Sequence, residues 1–192
     1  VVSVNIALDA KLEVHMRHIV FALFATLAVA LVSDAQASQE FVEGKNYSLL
    51  VPAQHTTVPA GKVEVMEVFS YGCIACNSFQ PVIEKLRHSL PSNAQLTYLP
   101  ASFNHGEDWP MFQRAYLAAQ AMGVADRAHQ AVFDAVWKTG ELAISRVPMP
   151  TIQDAARCYA RFAGVKVDDF LAAAYSFGVY TKMQAADIGS GR

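Results

Sequence analysis

The spacing of apolar positions along this chain changes from the two-residue period of strands to the longer period of helices, and the change falls at a pair of cysteines. Residues 63–69 are rich in Val and end at Phe69, which predicts a strand. Alternation places Glu67 and Phe69 on one side of it, favouring burial of the acid. After the cysteines, Cys76, Phe79, Ile83, Leu86 and Leu90 recur at helical spacing, while Glu84, Lys85, Arg87 and His88 lie mostly off that face. Pro81 falls inside this helix, where it removes the hydrogen bond to the Asn77 carbonyl and predicts a kink. Pro91 ends the helix, and residues 95–99 predict a second strand before Pro100. A shorter strand is expected at residues 47–51, and residues 52–61, with Pro59 and Gly61, read as a turn-rich connection.

Beyond Asp108 the pattern is helical almost without interruption. Asp108 is the expected N-cap of a helix with Pro110 in its first turn, closed by Gly123. Another helix is expected over residues 126–138, after which Pro148 and Pro150 break the chain. Thr151 and Asp154 have the spacing of a capping box, and Gly164 is a C-terminal stop. Residues 167–174 and 175–186 predict two further helices. The plan is strand, strand, helix, strand, then a run of helices, and the unit needs more strands than these to form a stable sheet.

The N-terminal region reads differently. Met16, Arg17 and His18 precede an apolar run over residues 19–32, and Ala35-Gln36-Ala37 follows. A basic start, a run short for a membrane span and a small-residue site describe a secretory signal peptide. Asp9 and Glu13 suit a basic leader poorly, so Met16 is the expected true start and residues 1–37 the signal region. The chain of 192 residues has a formal net charge of −2 and no basic block, which argues against nucleic acid as a partner.

Three cysteines are too few for a disulfide-rich scaffold. Cys73 and Cys76, separated by Ile74 and Ala75, could be a metal clip, a staple or a redox centre. Tetrahedral zinc needs four ligands, and neither a second close cysteine pair nor a paired histidine motif supplies them. A bridge across so short a loop restricts the unfolded chain little. Redox chemistry remains, with no metal and no cofactor expected. A helix starting near Cys73 would put that sulfur among unpaired N–H groups at the positive end of the dipole, favouring the thiolate that attacks disulfides. Cys76, one turn on and at the top of the apolar face, should be sheltered and react second. Glu67, just before the motif, is either a supporting acid that moves protons for Cys76 or a strand residue facing water, with burial favoured by the alternation. Cys158 reads as a buried, inert thiol, Trp109, Phe112, Tyr116, Phe133 and Trp137 as helical core, and His105 as an exposed loop residue.

The stretch from Glu67 to Cys76, the start at residues 41–47 and the late segment 182–187 resemble the DsbA family of bacterial periplasmic thiol:disulfide oxidoreductases. The resemblance implies an α/β, thioredoxin-like fold interrupted by an inserted all-α domain. On that basis residues 38–107 form the first half of the thioredoxin-like domain, 108–175 the helical insertion and 176–192 an incomplete return helix. It implies oxidation of unfolded exported proteins in the periplasm, with Cys73 as the exchanging sulfur, Cys76 as the resolving one, Glu67 as buried acid, and a DsbB-like membrane partner for reoxidation. Ala75 stands where family members commonly carry histidine, which predicts a milder thiol pKa and a less oxidising potential than the family's extreme. The family continues into a cis-proline loop and C-terminal strands not found in this sequence, and Val147-Pro148 lies between helices, so a truncated chain with an open sheet edge is expected. A reductase or isomerase, a non-enzymatic peptide-binding module and an inactive remnant are the alternatives.

Overall fold

A computed structural model describes residues 40–189. The expected signal region, residues 1–37, lies outside them. The chain divides into two units, the first ending at Val51 and the second beginning at Pro52. In the first, the described residues form a tight turn: the Val42 N–H donates to Asn46 Oδ1, and Glu43 and Tyr47 make an isolated bridge. The strand expected over residues 47–51 is not formed. Leu49, Leu50 and Val51 are exposed, and no ladder partner among the described residues meets them, without which an apolar run cannot hold a strand.

The second unit begins with a β-α-β crossover. Strand β1 (Val63–Phe69) pairs in parallel with β2 (Ala94–Pro100), from Val63 opposite Ala94 to Phe69 opposite Pro100, and α1 (Ile74–Ser89) connects them. These bounds follow the sequence pattern closely. Pro81 lies inside α1 on its exposed side.

Five helices follow: α2 (Trp109–Ala121), α3 (Ala125–Trp137), α4 (Ile152–Ala163), α5 (Val167–Ala174) and α6 (Phe177–Gly189). Helix α2 is central. Trp109, Phe112, Gln113 and residues 115–119 are buried around most of its circumference, and it packs on α4, α5, α6 and β2. Asp108 occupies the N-cap position of α2 but makes no side-chain cap; its φ of 54° is left-handed, which turns the carboxylate away from the cap geometry. The Thr151–Asp154 capping box of α4 is complete, and Gly164 ends that helix at a φ of 70°. The last helix starts at Phe177 rather than Tyr175, because Tyr175 caps α5 and the Ser176 hydroxyl accepts the Val179 N–H. The Val147–Pro148 peptide bond, between α3 and α4, is cis. Among the described residues no helix is long and apolar enough to cross a membrane.

The sheet joins the helices through aromatic packing. Phe69, at the end of β1, meets the rings of Tyr71, Tyr98, Tyr116, His129 and Phe133 at centroid distances of 5.0 to 6.0 Å. Tyr71, in the loop that carries the cysteines, is part of that cluster.

Candidate functional site

The loop between β1 and α1 is held from below and from the side. Tyr71 is fully buried, and its hydroxyl lies 3.0 Å from His129 Nδ1 and 3.3 Å from the Tyr159 hydroxyl. Burial drives the His129 imidazole down to about 3, with Arg87 acting in the same sense, so it stays neutral. The Trp137 indole N–H donates to the Tyr71 carbonyl at 2.8 Å. Gly72 packs so closely on Trp109 and the Glu107 carbonyl that a Cβ there would fall 2.8 to 2.9 Å from them. The Ser70 hydroxyl accepts the Gly72 N–H, and the Ser70 carbonyl accepts that of Cys73. The backbone entering the cysteine pair is therefore tied at every residue.

Cys73 is the N-cap of α1, and its Sγ accepts the Cys76 backbone N–H at 3.3 Å. A sulfur in that place satisfies one of the helix's orphan donors and faces the positive end of its dipole. Cys76 follows one turn along. The expectation that one sulfur is exposed and the other sheltered holds only in part: both residues are half-buried. The reason lies in the apolar face below Cys76. Phe79, Ile83 and Leu86 from α1 and Val65, Val68 and Leu96 from the strands line an open groove of about 540 Å³, and Phe79 remains 48% exposed. Burial, followed by the contact with Cys73, holds the Cys76 thiol well above the ordinary thiol range.

Glu67 lines the same groove. Burial raises its carboxyl to about 7, against the opposing pull of the Gln80 hydrogen bond and the Arg87 charge. Its Oε2 is buried without a hydrogen-bond partner. Proximity of Glu67 also contributes to the raised Cys76 thiol, so acid and sulfur interact. Cys158 is fully buried in α4 and pushed up to about 11, first by burial, as a core thiol would be. Trp109, Phe112, Tyr116 and Phe133 are core, Trp137 is partly exposed, and His105 is exposed in a short 3-10 turn.

The sequence reading missed several participants. Gln80 is 7% exposed, and its amide reaches both Glu67 and the Cys76 carbonyl. The available signal was a polar residue four positions after Cys76 and three before Ile83, on the apolar stripe itself. The Arg87 guanidinium donates to the Tyr98 hydroxyl at 2.5 Å and stacks over its ring. The buried Tyr71–His129–Tyr159 network joins residues 58 and 88 positions apart, and no local pattern announces such contacts.

Comparison with known proteins agrees with this architecture. No protein-family model matches the chain. The thiol:disulfide interchange protein DsbA of Pseudomonas syringae pv. tomato is 33% identical over 168 residues, which cover 88% of this chain and 74% of that protein. DsbA of Pseudomonas aeruginosa is likewise 33% identical, over 172 residues, covering 89% and 76%. The crystal structure of the oxidoreductase DsbA from Xylella fastidiosa superposes with a TM-score of 0.62 at 35% identity, over 68% of this chain and 67% of that one. The fold is thioredoxin-like with an inserted helical domain. With a third of its residues identical across about three quarters of these relatives, the chain belongs to the DsbA family of thiol:disulfide interchange proteins.

Proposed function

We propose that this enzyme forms disulfide bonds in exported proteins in the periplasm, with Cys73 as the exchanging sulfur, Cys76 as the resolving sulfur and Glu67 as the acid that moves the proton. The observation that carries this reading is the position of Cys73 at the mouth of α1, its Sγ receiving the Cys76 N–H while Cys76 itself sits beside Glu67 over the groove. A substrate thiolate attacks Cys73 Sγ in the Cys73–Cys76 disulfide. The new bond joins substrate sulfur to Cys73, and Cys76 leaves as a thiolate and takes the proton of neutral Glu67. A second substrate thiolate then attacks the substrate sulfur of the mixed disulfide, and Cys73 leaves. Two electrons pass from the substrate thiols to the cysteine pair. A quinone-linked, DsbB-like membrane protein would accept those electrons and restore the disulfide.

Residues 38–107 would be the first half of the thioredoxin-like domain, 108–175 the insertion and 176–192 the incomplete return segment. The aromatic packing of Phe69 against Tyr116, His129 and Phe133 supports a structural duty for the insertion in bracing the redox loop.

Timed alkylation of the reduced full chain at neutral pH, with each cysteine followed by mass spectrometry, tests the order. Cys73 is expected to label first, Cys76 much later, and Cys158 only on unfolding. Equal labelling of Cys73 and Cys76, or protection of both, overturns the assignment. Cys73→Ser must also abolish oxidation of a reduced substrate protein; a variant that retains its full effect would be a binder rather than an exchange enzyme.

A further inference from the structure

Resting on the assignment of Glu67 as the acid, we propose that Gln80 is a positioning residue that fixes which oxygen of Glu67 exchanges a proton with Cys76. Its Nε2 donates to Glu67 Oε1 at 3.4 Å and to the Cys76 carbonyl at 3.4 Å. The orientation of the amide follows from the second contact: a peptide carbonyl only accepts, so the nitrogen must face it. The same –NH₂ group then faces Oε1, which must accept as well. A proton on neutral Glu67 is therefore confined to Oε2, the oxygen buried without a partner. One side chain, 7% exposed, thus ties the acid on β1 to the backbone of the resolving cysteine on α1 and leaves a single oxygen for the chemistry. It also stabilises the carboxylate against the burial that raises it.

The other titratable or charged groups facing Glu67 are Cys76 and Arg87 from α1 and Tyr98 from β2, directly opposite in the strand register. Among them Arg87 donates to the Tyr98 hydroxyl, and Cys76 is the reaction partner itself.

The step to measure is resolution of a mixed disulfide. Reduced protein attacks glutathione disulfide through Cys73, releasing one glutathione thiolate. Cys76 then gives its proton to the Glu67 carboxylate and attacks Cys73 Sγ; the Cys73–Cys76 bond forms, the bond to glutathione breaks, and the second glutathione leaves as thiolate. Rapid acid quench of the full chain, followed by mass spectrometry, gives the rate of each step against pH. Resolution should rise with pH through the Glu67 titration. In Gln80→Leu that rise is expected about one to two pH units higher, the effect of one lost hydrogen bond to a charged group. Attack by Cys73 should keep its profile. Gln80→Met, unbranched and of similar length, should behave the same way and guards against a packing defect. A rise left in place in both variants overturns the role of Gln80 alone. If Glu67→Gln retains the rise, the acid itself is misassigned and both readings fall.

Discussion

A Cβ added to Gly72 would fall 2.8 Å from Trp109 Cδ1 and 2.9 Å from the Glu107 carbonyl oxygen, and the latter is backbone that cannot swing aside. Gly72→Ala should therefore cost about 1–3 kcal/mol of stability, read from the urea midpoint. At Glu67 the relevant variable is pH. Burial raises its folded value to about 7 from an ordinary 4.5, so between those values the folded chain holds a proton that the unfolded chain has lost. The contribution to stability is complete below about 4.5 and is lost as pH rises through about 7. Glu67→Gln should accordingly narrow the difference in urea midpoint between pH 5 and pH 8; a difference as large as in the unaltered chain would mean that the carboxyl is not buried as described.

At the scale of elements, local chemistry was legible where it closes within a turn. The Thr151 hydroxyl accepts the Asp154 N–H, and the Asp154 carboxylate accepts the Thr151 N–H at 2.8 Å, both within reach of a four-residue pattern. Burial opposes the charge on Asp154, but the Thr151 donors and Arg146 outweigh it and hold the carboxyl at about 2. That support for α4 is present above the ordinary aspartate value and disappears as pH falls through about 2. Thr151→Ala should cost about 1 kcal/mol, measured by thermal or urea unfolding at neutral pH. Asp108 illustrates the opposite case. Its residue type and its place before Trp109 and Pro110 spell an N-cap, yet Asp108 also closes the 3-10 turn His105–Glu107, its N–H on the His105 carbonyl, and takes a left-handed backbone there.

Over the whole molecule, the β-α-β crossover and the succession of helices were readable because each carries its own periodicity, and the cysteine pair was readable because its spacing is itself the signal. What joins them was not. The strand expected at residues 47–51 has the right composition, but a strand exists only by pairing, and composition does not name a partner. Tyr71, His129 and Tyr159 meet across the fold, as do Arg87 and Tyr98, through packing that no window of sequence contains. The half-burial of Cys76 depends likewise on how much of the groove is covered, a tertiary quantity.

The two tryptophans deserve a last consequence. Both belong to helices α2 and α3, and both end on consecutive residues just ahead of Cys73: Trp137 on the carbonyl of Tyr71, Trp109 against Gly72. The sequence contains no other indole. Its indole emission therefore originates wholly beside the residues that lead into Cys73, and a shift in that light reads the local posture of the loop before it reads the unfolding of the chain.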